Sequence, residues 1–118
     1  MPVYLVTNGL SDVQRSRLAR SPLKPFIRDI VVSQDVGAAK PDPRMFLAAL
    51  ERAGNPDPRD VLMLGDSLSS DICGANSAGI DSCYLNPANA ENTSGVQPTY
   101  EIHALREADA LLLPASEV

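Results

Sequence analysis

Short apolar segments alternate with stretches of helical pattern along this chain, and this alternation limits the fold more than any other feature. The segments with the composition of β-strands are residues 3–6, 30–32, 61–64, 82–85 and, with a weaker pattern, 99–102. Strands of this length separated by helices are typical of βαβ units, in which the strands are parallel. The sequence therefore predicts one α/β domain over residues 1–118 with a doubly wound, Rossmann-like parallel sheet.

Capping residues and glycines mark where the helices begin and end. Ser11 followed by Gln14 predicts a capping box at the start of a helix over residues 11–20. Asp42 and the proline after it predict the N-cap and first residue of a helix that ends at Gly54. The remaining predicted elements are helices over residues 70–79 and 104–112 and a loop over residues 86–98.

Composition excludes several classes of protein. A net charge of -5 and a pI of 4.6 oppose nucleic-acid binding, which needs clustered Lys and Arg. No apolar run approaches the roughly 20 residues that span a bilayer. Because the first residues lack a charged signal-peptide start, a cytoplasmic location is expected. The spacing of Cys73 and Cys83 predicts two buried free thiols, and His103, which has no partner at metal-ligand spacing, is predicted to be a surface or packing residue.

Polar clusters are predicted just past the carboxyl ends of three of the predicted strands. They are residues 7–9 (Thr-Asn-Gly), Lys40 with the proline after it, and residues 65–67 (Gly-Asp-Ser). Because the carboxyl ends of parallel strands meet at one edge of a sheet, where ligands bind, we expect these clusters to converge.

Two aspartates are candidates for a magnesium site. Asp66 follows a predicted strand, and Asp71 lies five residues later, where the next helix begins. Magnesium prefers one or two carboxylates together with water and phosphate oxygens. Asp66 is predicted to be a direct ligand, and Asp71 an indirect ligand or an orienting group. Taken alone, the same G-D-x-x-x-x-D pattern is also typical of a turn with a helix N-cap.

The other two clusters have the chemistry of a phosphate site. Thr7, Asn8 and Gly9 supply a hydroxyl and backbone N–H groups at a strand end, which suits a phosphoryl group that develops charge during transfer. The proline after Lys40 favours an extended backbone there, and the ammonium of Lys40 could offset phosphoryl charge. A simple turn and a solvated loop are the alternatives for these two clusters.

The order of these motifs resembles the C-terminal two-thirds of the core domain of haloacid dehalogenase-like (HAD) phosphatases, over about residues 3–113. Thr7, Lys40, and Asp66 with Asp71 match the family's second, third and fourth motifs. The resemblance implies magnesium-dependent hydrolysis of phosphate monoesters, in which Thr7, Lys40 and Asp71 are catalytic.

The chain is particularly similar in sequence to one branch of the family, the bacterial pyrimidine 5'-nucleotidases. This similarity implies a nucleoside monophosphate substrate. The segments that carry this similarity are residues 7–9, 13–14, 17–18, 53–56, 61–63 and 98–100.

The resemblance also implies a group that these 118 residues do not contain. The family uses an aspartate nucleophile in a D-x-D arrangement, which forms an aspartyl-phosphate, and no D-x-D occurs here. Its strand should lie between the strands that end at Thr7 and Asp66, so two strand edges should face a gap. We therefore expect part of a longer enzyme that lacks the nucleophile strand and the cap domain. Such a chain should be inactive alone, and a domain-swapped or strand-complemented homodimer is possible.

Two other functions fit parts of the sequence. The absent nucleophile would suit a non-catalytic module that binds phosphate and magnesium. Residues 65–68 also spell the G-D-S-L signature of esterases in which Ser67 would be the nucleophile, although that chemistry needs a histidine activated by a carboxylate. The D-x-x-H pattern is not met, because Tyr100 stands where the aspartate should precede His103.

Overall fold

A computed structural model of the chain describes residues 2–108 and 111. Its strands are β1 (Tyr4–Thr7), β2 (Asp29–Val32), β3 (Leu62–Gly65), β4 (Asp81–Leu85) and β5 (Tyr100–Ile102). Its α-helices are α1 (Ser11–Ala19), α2 (Ser33–Val36), α3 (Pro43–Arg52) and α4 (Cys73–Ser77). The bounds of each predicted strand differ from the observed ones by at most one residue, and the α/β class is confirmed.

The strands pair in parallel throughout, but they form two sheets. β1 pairs with β2, so that Thr7 lies opposite Val32, and β3, β4 and β5 form a separate sheet in that order. Within the described part of the chain, β1 and β3 each have a partner strand on one side only. The division of the sheet falls where the resemblance to HAD phosphatases led us to expect a further strand.

A single apolar cluster joins the two halves of the molecule on one face. Val31 of β2 and Phe46 of α3 pack in the same cluster as Ala75 of α4 and Ile80. Phe46 is 1% exposed, and a Cβ at Gly74 would overlap its ring. Glycine at this position therefore allows α3 and α4 to approach closely, and a smaller apolar cluster around Cys83 and Ile102 covers part of the other face.

The start of α3 is confirmed and the predicted capping box of α1 is wrong. Asp42 accepts a hydrogen bond from the Arg44 backbone N–H at 2.9 Å. In contrast, α1 begins at Ser11 itself and has no side-chain cap. The Ser11 hydroxyl donates to Asp35 of α2, and Gln14 reaches back to the turn after β1. Partners on α2 and in the turn after β1 thus replace the local cap.

The other helical predictions differ from the structure in detail. The helix predicted over residues 70–79 begins with a π-helical turn, Leu68–Ile72, in which the Ser67 hydroxyl accepts from the Ser70 N–H. The short α2 was not predicted. Within the predicted helix over residues 104–112, the structure has a 3-10 helix at Leu105–Ala108, and residues 109–110 and 112 lie outside the described part.

Cys83 and His103 agree with the sequence analysis, whereas Cys73 is less buried than predicted. Cys73 is half-buried and Cys83 is buried, and both are free thiols. Burial raises the pKa of the Cys83 thiol. His103 is exposed, with its Nε2 3.2 Å from Glu101 Oε2. Among the described residues, no helix has the length and apolar character to cross a membrane.

Candidate active site

A lysine between the two half-sheets is the centre of the site. Lys40 lies in the loop between α2 and α3, and its Nζ donates to the Val6 carbonyl oxygen at 3.0 Å and to Asp71 Oδ1 at 2.6 Å. The side chains of Lys40 and Asp71 are only 12% and 8% exposed. The structure therefore brings the predicted third and fourth motifs into direct contact at the carboxyl edge of the strands.

Asp71 is fixed by the backbone around it. Its second oxygen, Oδ2, accepts from the Ser67 backbone N–H at 3.3 Å. A Cβ at Gly65 would overlap the Asp71 carboxylate, so the last residue of β3 must be glycine for this carboxylate to lie against the strand. Asp71 is thus a buried carboxylate that accepts hydrogen bonds from Lys40 and Ser67 and lies against Gly65.

Asp66 differs from Asp71 in its surroundings. Its side chain is exposed and makes no side-chain hydrogen bond to the residues that the structure describes. These residues also contain no group of three or more potential metal ligands. One free carboxylate beside a fixed one still fits Mg²⁺, which takes few protein ligands and keeps water and substrate oxygens. Asp66 suits direct binding, whereas Asp71 Oδ1 is already engaged by Lys40.

The Thr7-Asn8-Gly9 turn lies at the same edge, but two of its residues are already engaged. The Thr7 hydroxyl has only a long contact, 3.3 Å, with the Asn8 carbonyl oxygen. The Gly9 N–H donates to Ser33 Oγ at 2.8 Å, and the Asn8 side chain bonds to the backbone of Lys40. Of the predicted phosphate ligands, Thr7 and Lys40 therefore keep side-chain groups suited to an anion.

Contacts between α1 and α2 support this turn, and sequence reasoning missed them. Ser33 also accepts from the Gly9 N–H and donates to its carbonyl oxygen at 3.2 Å. Arg15 of α1 pairs with Asp35 of α2 at 3.0 Å, and this hydrogen bond lowers the pKa of Asp35. Ser33 directly follows β2, so the rule that located the other polar clusters at strand ends could have found it.

The geometry does not support an esterase. The Ser67 hydroxyl lies 3.4 Å from the Ser69 hydroxyl and caps the following turn. His103 instead contacts Glu101, and it is the chain's one histidine. Ser67 thus lacks the histidine partner that would activate it as a nucleophile.

Comparison with known families agrees with this arrangement of motifs. The model of the haloacid dehalogenase-like hydrolase family matches residues 1–79, a range that includes the Thr7 turn, Lys40, Asp66 and Asp71. The chain belongs to this family.

Relatives in the HAD family include nucleotidases. The chain is 44% identical over 110 residues to pyrimidine 5'-nucleotidase YjjG of Escherichia coli, covering 93% of this chain and 49% of YjjG. It is 36% identical over 105 residues to pyrimidine 5'-nucleotidase PynA of Streptococcus pneumoniae, covering 89% and 44% of the two chains. The chain thus spans about half the length of these HAD relatives.

The fold also matches a solved HAD structure. The crystal structure of the HAD hydrolase YfnB of Bacillus subtilis, bound to magnesium, superposes with a TM-score of 0.90 at 41% identity. The match covers 97% of this chain and 50% of the YfnB chain. This chain therefore has the fold of about half of a HAD hydrolase.

Proposed function

We propose that this chain supplies the phosphate and metal side of a magnesium-dependent phosphomonoester hydrolase that acts on pyrimidine 5'-nucleotides. One observation carries the proposal: the Lys40 ammonium lies between the Val6 carbonyl oxygen and the Asp71 carboxylate, at the strand edge where Thr7 and Asp66 also lie. A buried cation in that place would offset the negative charge of a transferring phosphoryl group.

Asp66 and Asp71 would have different roles in metal binding. The exposed Asp66 carboxylate would bind Mg²⁺ directly, and Asp71, held by Lys40 and Ser67, would orient the site. When bound, the metal would neutralise charge on the phosphoryl oxygens. Thr7 would donate its hydroxyl to a phosphoryl oxygen, and Lys40 would hold the same group from the side of Asp71.

The nucleophile of this reaction would come from a strand outside these 118 residues, inserted between β1 and β3. The one-sided pairing of both strands supports this site of insertion. An aspartate at the end of that strand would attack the phosphorus, displace the nucleoside alcohol and form an aspartyl-phosphate. Water would then release inorganic phosphate and restore the carboxylate, while the second aspartate of D-x-D transfers the protons.

Similarity to YjjG and PynA supports a pyrimidine nucleotide as substrate. A phosphoserine phosphatase of Thermus thermophilus, 33% identical over 107 residues, supports the wider class of phosphate monoesters. The proposed phosphate-binding groups would contact the phosphoryl group and not the leaving group. The choice among phosphate monoesters would therefore depend on the cap domain.

The proposal is tested by supplying the absent half. The chain would be assayed with Mg²⁺ on UMP, AMP and p-nitrophenyl phosphate, alone and together with an N-terminal segment that carries a D-x-D strand and a cap. We expect turnover only when both parts are present, with UMP preferred over AMP. Robust turnover by the chain alone would contradict an external nucleophile.

Two variants of the complete enzyme test the roles of the site, and the chain offers a matched control. Lys40→Met should lower kcat by about 10²- to 10³-fold, the loss typical when one charge-stabilising donor is removed. Lys24→Met changes the chain's only other lysine, which is exposed, and should leave kcat unchanged. Equal losses in both variants would contradict the role of Lys40.

A non-catalytic module that binds phosphate and magnesium is the second candidate, because no D-x-D occurs in the sequence. If the complemented protein folds, binds Mg²⁺ through Asp66 and shows no turnover, this candidate is favoured over the hydrolase. Calorimetric titration of Mg²⁺ into the chain and into Asp66→Asn measures that binding separately from activity.

A further inference from the structure

The Asn8 side chain makes two hydrogen bonds to the backbone of a single distant residue. Its Oδ1 accepts from the Lys40 N–H at 2.8 Å, and its Nδ2 donates to the Lys40 carbonyl oxygen at 3.3 Å. Only an amide side chain offers an acceptor and a donor side by side in this way. Asn8 therefore pairs with Lys40 as a neighbouring strand would.

Lys40 depends on this contact because its loop has little other support. The loop runs from the end of α2 to the start of α3, and the residue after Lys40 is Pro41, which has no N–H. The nearest backbone hydrogen bond within the loop joins the Asp42 N–H to the Ala39 carbonyl oxygen at 2.8 Å. Among the described residues, Asn8 is the one partner of the Lys40 backbone groups in the structure's hydrogen bonds.

Asn8 is itself fixed to the sheet. It directly follows β1, and its carbonyl oxygen accepts from Gln14 Nε2 at 3.0 Å. The next residue, Gly9, has a φ of 137° and is held by Ser33. A strand end that is held by hydrogen bonds therefore supports the base of a lysine side chain whose ammonium is bonded to Val6 and Asp71.

We propose that Asn8 is a positioning residue that sets the place of the Lys40 ammonium between β1 and Asp71. A lysine side chain has four rotatable bonds and loses rotamer entropy when it is fixed. Holding its backbone against β1 reduces the number of positions that the ammonium samples. This role replaces direct phosphate binding by the Asn8 side chain, and it matters for catalysis only if the proposed hydrolase function is correct.

We call the two hydrogen bonds between the Asn8 side chain and the Lys40 backbone the Asn8 clamp. Because the chain contains two lysines, Lys24 and Lys40, the effect of this clamp can be measured without turnover. Lys24 is exposed, whereas Lys40 is half-buried. Brief acetylation at one pH, followed by peptide mass spectrometry, gives the ratio of the Lys40 and Lys24 rates. In the wild type Lys40 should react much more slowly than Lys24.

Asn8→Ala should raise the ratio on the order of tenfold, because two hydrogen bonds to the Lys40 backbone are lost. Asn8→Asp keeps the oxygen that accepts the Lys40 N–H but loses the donor to its carbonyl oxygen, so the ratio should fall between wild type and Asn8→Ala. This partial rescue separates positioning from a general loss of stability.

Asn92→Ala is the matched control. Asn92 also bonds to the backbone through both ends of its amide, to Val96 at 2.7 Å and to Ser94 at 3.0 Å, but it lies in the loop between β4 and β5. The control should leave the ratio unchanged. The proposal is overturned if Asn8→Ala keeps the wild-type ratio while circular dichroism shows a native fold, or if Asn92→Ala raises the ratio equally.

In the complemented enzyme, Asn8→Ala should lower kcat and should have no further effect in a Lys40→Met background. If Asn8→Ala raises the ratio of the acetylation rates but the complemented protein shows no turnover, the positioning role of Asn8 is retained and the hydrolase function is rejected. An unchanged ratio in an active enzyme would reject the clamp and retain the hydrolase.

Discussion

The strands beside the gap are less buried than the strands outside them. In β2, Ile30, Val31 and Val32 are at most 3% exposed, whereas β1 contains Leu5, which is 37% exposed. All four residues of β3 are only half-buried, although β4, its partner, has two fully buried residues. Parallel sheets normally bury their central strands most deeply. The reversed order is the pattern expected if a further strand belongs between β1 and β3, as proposed above.

The core that joins the two halves should give the largest effect on stability. Phe46 is buried between α3 and α4, so Phe46→Ala should lower the free energy of unfolding by about 3–5 kcal/mol. Leu47→Ala changes the next residue, which is 58% exposed, and should cost less than about 0.5 kcal/mol. Urea denaturation measures both, and equal effects would show that the halves are not joined through this contact.

A cross-strand pair of valines compares the inner and outer strands directly. Val6 of β1 and Val31 of β2 lie opposite each other in the register, but Val31 is 2% exposed and Val6 is half-buried. Val31→Ala should cost about 2–3 kcal/mol and Val6→Ala about half of that.

Val6→Ala and Val31→Ala can also be compared after addition of the N-terminal segment that carries the D-x-D strand. A strand between β1 and β3 should bury Val6 further, so the cost of Val6→Ala should approach that of Val31→Ala. Denaturation of each variant with and without the segment measures this change. An unchanged difference would mean that the segment does not insert beside β1.

The smallest expected effect concerns the ion pair at the start of β2. The Ile30 backbone N–H donates to Asp29 at 2.8 Å, and this bond, with help from Arg52, lowers the pKa of Asp29 below its ordinary value of 3.8. Because the folded state depresses this pKa, the stabilisation is present above about pH 4 and is lost as the pH falls through the lower folded value.

Asp29→Asn should therefore differ from the wild type at pH 7 by less than about 1 kcal/mol, because the pair is more than a third exposed. The difference should shrink towards zero below pH 3. Thermal melts of both proteins from pH 7 to pH 2.5 measure it, and a difference that grows on acidification would contradict the assignment.

Local sequence rules predicted the elements that local forces control. The α3 helix begins at the N-cap Asp42 and stops before Gly54, whose φ is 89°, as the pattern indicated. The same kind of rule failed at Ser11, because Gln34 and Asp35, more than 20 residues away, compete for its backbone and side-chain groups. Helix propensity and capping rules use only neighbouring residues, so they cannot identify partners that are distant in the sequence.

The candidate site divides in the same way. That the Thr7 turn, Lys40 and the Asp66 turn would share one strand edge was predicted, although Lys40 follows α2 and does not directly follow β2. That Asn8 would bond to Lys40 was not predictable, since the sequence showed a side chain able to accept and donate but not which backbone it would meet.

By itself, the sequence determined the parallel α/β class and the family, and it supplied the residues proposed for phosphate and metal binding, because strand length, caps and motif spacing are local properties of the chain. Only the tertiary structure decided that the sheet is divided between β1 and β3, that Lys40 pairs with Asp71 across that division, and that Asn8 holds Lys40. These contacts join residues more than 30 positions apart, and their partners are chosen by packing.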